Sequence, residues 1–282
     1  MTTSYLPLDG GRIAYTVDGT GPLVLCLPGM GDVKEVFRFT VPALTAAGYQ
    51  VVCADLRGHG ESDATFDRYD DETVADDVLA LIDALDGGPA VLVGNSLAGA
   101  VGALAAVRRP SALAGLVLLS PFLRDGAGGR LARWVTAAAL ARPWGPRFWT
   151  SWYRRLNAGA QPVDLDRHRA ALHEAVTRPG HWRALQRLAG TSHDPATAVL
   201  DRVRVPALLV QGALDPDFRD PEAEARWGAT QLGAEVVMIP DAGHYPQAQQ
   251  PGPTNEAVLA FLRRVHPADG TPGARTLEAP GA

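Results

Sequence analysis

Apolar positions along the chain follow two rhythms. Short continuous runs at 23–27, 49–54, 90–93, 116–120, 205–210 and 235–239 have the length and β-branched content of strands, several of them buried on both faces. Between them lie longer segments with apolar residues three and four apart. Thr73 to Leu85 is the clearest, with Val74, Val78, Leu81, Ile82 and Leu85 on one helical face. Helices are also expected over 36–47, from about 97 to 108 before Pro110, over about 221–232, and from Asn255 to Val265. Ahead of these, residues 4–18 alternate apolar and polar positions around Asp9-Gly10-Gly11-Arg12, which predicts an antiparallel hairpin.

The strand–helix alternation stops at Pro121 and resumes near 201. Residues 122–200 read as helical stretches interrupted by Pro143, Pro146, Pro162 and Pro179, and hold Trp134, Trp144, Trp149, Trp152 and Trp182. The expected class is α/β, a mostly parallel sheet flanked by helices, with an inserted all-helical cap. Residues 1–121 and 201–266 would form the core and 122–200 the cap. Residues 267–282, rich in Gly, Pro and Ala without periodicity, read as a disordered tail. In a sheet built through helical crossovers, ligands bind at the carboxyl ends of the strands.

Composition narrows the function classes. Apolar residues make up 46% and charged residues 20% of 282, as in an ordinary globular protein. The start of the chain lacks a basic and then apolar leader, and no run reaches membrane-spanning length, so a cytoplasmic protein is expected. Cys26 and Cys53 lie inside apolar strand runs and read as buried, reduced thiols. A net charge of −5 argues against general nucleic-acid binding. The charge is unevenly spread: residues 122–190 carry twelve arginines against Asp125, Asp164, Asp166 and Glu174, a local balance of +8. Either this is an arginine-rich helical surface, Lys34 being the only lysine, or it is a basic mouth attracting anionic substrates. No metal-ligand cluster or phosphate-loop spacing stands out, so neither metal nor cofactor is expected.

The candidate chemistry sits where strands end. At Gly94-Asn95-Ser96-Leu97-Ala98 a strand stops at a glycine and a helical pattern begins two residues later, which places Ser96 at the tip of a strand–turn–helix. The plain alternative is a serine capping the helix of an ordinary βα unit. A serine hydroxyl needs a base, and the base an orienting acid. His244 follows the last strand on a glycine-bearing loop. His59, between Gly58 and Gly60, reads instead as a residue bonding its own turn. His168, His173, His181 and His193 of the insertion read as surface or lid residues. For the acid, Asp215 follows the strand at 205–210, with Asp217 as competitor and Asp125 a distant third. An oxyanion would need preorganised donors, and the backbone N–H groups of Leu97 and of Met30, in the loop Pro28-Gly29-Met30-Gly31-Asp32, are the candidates.

Together with Asp55-Leu56-Arg57-Gly58-His59-Gly60-Glu61-Ser62, Gly212 with Asp215, and Gly243-His244, these motifs resemble the α/β-hydrolase fold superfamily over about residues 4–265. The resemblance implies eight strands, a helical cap after the sixth, and a Ser96–His244–Asp215 triad. Pro28 stands where many members have histidine, and Ala98 where glycine is usual. A serine rather than an aspartate at the elbow separates the chain from the epoxide-hydrolase and haloalkane-dehalogenase branches. The expected activity is hydrolysis of a carboxylic ester or thioester with a bulky apolar part, the small-molecule substrate being anionic or carrier-bound if the basic balance is functional. Gly29, Asn95, Tyr245, Trp149 and Trp152 are expected to contact substrate. Two other readings stand beside it: a lyase or cyclase of secondary metabolism using His244 without acyl transfer, and a ligand-binding receptor with little turnover. General-base action by His244 predicts a rate that rises with pH around neutrality.

Overall fold

The structure, a computed structural model, describes residues 2–126 and 135–268. Most of the tail expected at 267–282, together with Trp134, Arg130 and Arg133, therefore lies outside the described residues. Eight strands form one sheet: β1 (Ser4–Leu8), β2 (Gly11–Asp18), β3 (Leu23–Leu27), β4 (Gln50–Ala54), β5 (Ala90–Asn95), β6 (Leu113–Leu119), β7 (Ala207–Gly212) and β8 (Glu235–Ile239). Their spatial order is β1-β2-β4-β3-β5-β6-β7-β8. The first two strands form the antiparallel hairpin and β2 joins β4 antiparallel; every later pairing is parallel.

Every residue of β3, β5 and β7 is buried, which is why these strands read as unbroken apolar runs. Alternate residues feed opposite faces. Leu25, Leu92, Leu118 and Leu209 pack on one side, with α2 (Asp71–Leu85), α3 (Ala98–Arg108) and α8 (Pro221–Leu232). Val24, Val51, Val93 and Val210 pack on the other, with α1 (Val41–Ala46), the single turn α9 (Pro246–Gln249) and α10 (Pro251–Val265). Cys26 and Cys53 are free, buried register partners on β3 and β4.

Strand β6 begins three residues before the run expected at 116–120, and three further differences trace to prolines. The helix expected over 36–47 is broken into a 3-10 turn at Lys34–Phe37 and α1, because the ring of Pro42 cannot continue a helix past the carbonyl four residues earlier. The last helix starts at Pro251 rather than Asn255. Its two prolines, Pro251 and Pro253, fall in the first turn, where a backbone N–H has no helical partner to lose. Strand β7 runs 207–212 rather than 205–210, since Pro206 has no N–H for the ladder and only its carbonyl is used, accepting from Leu116.

Between β6 and β7 the described residues hold helices and no strand: α4 (Gly145–Leu156), α5 (Leu165–Thr177), α6 (His181–Leu188) and the single turn α7 (Asp194–Thr197). Helix α4 buries Trp149, Tyr153 and Leu156, one every three or four residues, and turns that face onto the loops following β3 and β8. Many of the insertion's arginines are tied down locally. Arg124 pairs with Glu224 at 2.6 Å, Arg154 and Arg169 share Asp166, and Arg167 shares Asp164 with Arg38 of the core. Arg178 and Arg187 donate to the carbonyls of Gly60 and Asp67.

Candidate functional site

Ser96 sits between β5 and α3 with φ +59°, a left-handed conformation rare for a residue with a side chain. Hydrogen bonds hold it there from three sides. Its N–H donates to Leu119 O at 2.9 Å, and its carbonyl accepts from Gly99 and from Phe122. The turn closes only because small residues flank it. A Cβ on Gly94 would lie 2.8 Å from that of Ala98, so alanine fits at the second position as long as the first is glycine. A Cβ on Gly29 would lie 2.6 Å from that of Ser96, which brings the loop after β3 directly against the serine. The N–H groups of Met30 and Leu97 meet no hydrogen-bond partner among the described residues.

The acid and the imidazole are brought together by backbone contact. A Cβ on Gly212 would collide with the carbonyl oxygen of Gly243, so the end of β7 and the loop after β8 touch main chain to main chain. The N–H groups of Ala213 and Leu214 donate to Ile239 O and Ala242 O. With the backbones fixed, Nδ1–H of His244 donates to Asp215 Oδ2 at 2.8 Å, and Asp217 Oδ2 lies 3.7 Å from the same nitrogen. Asp215 also accepts from the Asp217 N–H and from Gln211 Nε2, each at 3.1 Å. Both Asp215 and His244 are fully enclosed. Burial alone would disfavour the imidazolium, but the two carboxylates outweigh it and push His244 up to about 9. Asp125, the third acid considered, is elsewhere, accepting from Ser192 Oγ and the N–H of His193.

Asn95 Nδ2 donates to Leu119 O and, at 3.1 Å, to His244 O, tying the histidine loop to the strand that carries Ser96. The insertion grips the same loop. His244 N–H donates to Leu156 O at 2.8 Å, and Gln249 bridges, accepting from the N–H groups of Gly243 and Tyr245 while donating to Ala158 O and Ala160 O.

The residues expected to contact substrate divide. Gly29 lies against Ser96. Asn95, Tyr245 and Trp149 are buried and already committed: Asn95 to carbonyls, Tyr245 stacked on Tyr153 with centroids 4.6 Å apart, and Trp149 donating Nε1–H to Gly31 O at 2.8 Å. Trp152 is partly buried, stacked on Phe148 and under Arg155. Sequence reasoning missed Phe122, whose ring centroid lies 5.7 Å from that of His244. Its position immediately after Pro121, where the alternation stops, was the available signal. It also missed Asp32, whose carboxylate joins Tyr153 and His168.

The segment from Asp55 to Ser62 is structural. Asp55 accepts from the Lys34 main chain and side chain and from the Glu61 N–H, Arg57 forks onto Asp77, and Ser62 Oγ donates to Asp55 O. His59 Nδ1–H donates to Arg57 O at 3.0 Å, as expected of a residue bonding its own turn, and burial pulls its pKa down to about 4.

Comparison with known proteins agrees with this architecture. A profile of the alpha/beta hydrolase fold matches residues 22–251. The dihydrolipoyllysine-residue acetyltransferase component of the acetoin cleaving system of Pseudomonas putida is 34% identical over 90% of this chain and 68% of its own length. The pimeloyl-[acyl-carrier protein] methyl ester esterase of Neisseria meningitidis is 31% identical over 79% of this chain and 71% of its own. Among solved structures, a hydrolase from Pseudomonas aeruginosa superposes with a TM-score of 0.79 at 28% identity, covering 92% of this chain and 98% of that one. On its profile match, its strand order and the turn that carries Ser96, the chain belongs to the α/β hydrolase fold family.

Proposed function

We propose that the protein is a serine hydrolase that cleaves a carboxylic ester or thioester through an acyl-enzyme. Ser96 Oγ attacks the carbonyl carbon as its proton passes to His244, Asp215 orients the imidazole and stabilises the imidazolium, and the N–H groups of Met30 and Leu97 receive the oxyanion. The proton then goes to the departing alcohol or thiol. Water, deprotonated by His244, adds to the acyl group and releases the acid and free Ser96. The observation that carries the reading is the left-handed Ser96 at a strand–helix turn, on a strand tied to a His244 that is itself bonded to Asp215 at 2.8 Å. The insertion, as a cap, would shape the acyl or alcohol pocket with apolar surface such as Phe122. The methyl ester esterase similarity adds weight to an ester on a carrier-bound acyl chain.

The decisive experiment is intact-protein mass after exposure to a small fluorophosphonate. A single adduct on the wild type, absent in Ser96→Ala, is the expected result. No adduct on folded wild type would overturn the reading and move the lyase and receptor readings ahead.

A second expectation follows from His244. A general base works only when neutral, and with a pKa of about 9 the rate should climb from neutrality towards pH 9 rather than level off near 7. Asp217→Asn removes one of the two carboxylates that hold the proton on. At this separation a unit charge is worth about 1 kcal/mol even in bulk water, so the acid limb of kcat/KM should move to lower pH by at least roughly half a unit. An unmoved limb in that variant would exclude Asp217 from the titration of the site.

A further inference from the structure

Asp32 is among the most deeply buried ionisable groups in the molecule, 1% exposed, and it belongs to the loop that carries Met30. Its Oδ1 accepts from its neighbour's N–H, Val33, at 2.8 Å and from His168 Nε2–H at 2.9 Å. Its Oδ2 accepts from the Tyr153 hydroxyl, again at 2.8 Å. Both side-chain partners come from the insertion, Tyr153 from α4 and His168 from α5, more than a hundred residues away in sequence. One residue earlier, Gly31 O accepts from Trp149 Nε1. On its inner side the same loop is closed by Asp32 N–H donating to Gly29 O, and Gly29 abuts Ser96. The loop is thus clamped at successive residues from outside and pressed against the serine from inside.

We propose that Asp32 is a positioning residue for the reaction: its carboxylate, clasped by Tyr153 and His168, holds the Met30 N–H where the carbonyl oxygen becomes an oxyanion. The proposal rests on the serine-hydrolase reading above. Stability alone does not call for such a group, because a buried polar cluster of this kind is often replaceable by well-packed apolar residues at no loss. What a carboxylate with three donors supplies is a fixed direction. Oxyanion donors act only when aimed at the oxygen's transition-state position, and small displacements there are expensive in rate. Tyr153 is also stacked on Tyr245, the residue after His244, so one side chain touches both loops that approach Ser96.

The test compares wild type with Asp32→Asn, which keeps shape but removes the charge, and Tyr153→Phe, which removes one hydrogen bond and keeps the ring stack. Hydrolysis of a p-nitrophenyl ester gives kcat and KM. Inhibition by an aryl trifluoromethyl ketone, which Ser96 converts into a hemiketal oxyanion, reports the donor directly. Asp32→Asn should lower kcat by about 10- to 100-fold, Tyr153→Phe by roughly three- to tenfold, with KM within about twofold and ketone affinity falling by the same factor as kcat. A role confined to stability would lower the unfolding midpoint and leave the kcat of folded enzyme and the ketone affinity unchanged, which overturns the proposal. If Asp32→Asn does not fold, Tyr153→Phe decides by the same readouts. A wild type that neither turns over ester nor takes the fluorophosphonate defeats the serine-hydrolase reading itself. An active wild type with unchanged variants defeats the positioning role alone.

Discussion

Ser96→Ala should lower kcat/KM on an activated ester by about 10⁴-fold or more, His244→Ala by a similar factor, and the double variant by no more than either single one. The non-additivity is the informative part. Nucleophile and base act on one proton and one bond, so once either is gone the other has nothing left to do. The residual rate would come from the Met30 and Leu97 donors and from binding. The measurement is steady-state hydrolysis of a p-nitrophenyl ester by the three variants at high enzyme concentration. Two independent losses that multiply in the double variant would mean that the residues serve different steps. A Ser96→Ala rate within tenfold of wild type would point to His244 acting as a base without acyl transfer.

The second large effect is on folding. Gly212→Ala should destabilise the protein by about 3 kcal/mol or more, because its Cβ would meet the main-chain oxygens of Gly243 and Ala242, which cannot swing away as a side chain could. Relieving the clash would pull β7 from the histidine loop and break the Leu214–Ala242 and Ala213–Ile239 bonds, so the Asp215–His244 contact would suffer with it. Urea midpoints of wild type and variant give the energy, and kcat of the folded fraction gives the geometric cost. Gly252→Ala is the matched control. Nothing beyond its chain neighbours lies within 4 Å of a Cβ there, so the change should stay within about 0.5 kcal/mol of wild type. Equal midpoints for the two variants would show that the main-chain contact at Gly212 yields more easily than its geometry implies.

How much was legible in the sequence follows from the range of each interaction. The runs at β3, β5 and β7 could be read because burial on both faces leaves an unbroken apolar string. Ser96, His244 and Asp215 could be placed because each follows a strand, and strand ends converge on one edge of a parallel sheet. Helical spacing was a weaker guide: over 36–47 the apolar pattern was right but Pro42 decided where the helix could begin. The supports of the site were opaque. Asp32 finds His168 across 136 positions, and Gln249 finds Ala158 across 91, and no local pattern marks such pairs. Asn95, Trp149 and Tyr245 carry chemistry suited to a ligand, yet the Asn95 amide nitrogen, the Trp149 indole N–H and the Tyr245 ring are spent on the protein itself. The expected titration near neutrality did not weigh how far buried carboxylates raise His244, Asp215 first and then Asp217 at 3.7 Å.

The grip of the insertion on both loops has an evolutionary consequence. Leu156 O, Ala158 O and Ala160 O hold the histidine loop, while Trp149, Tyr153 and His168 hold the loop of Met30. A segment wired in this way is not an interchangeable module. Transplanting the corresponding stretch from a relative would disturb these anchoring contacts along with the specificity it was meant to import. Change that leaves both loops undisturbed is confined to positions that anchor neither, such as Phe148 and Trp144, whose rings stay exposed at the surface of the insertion.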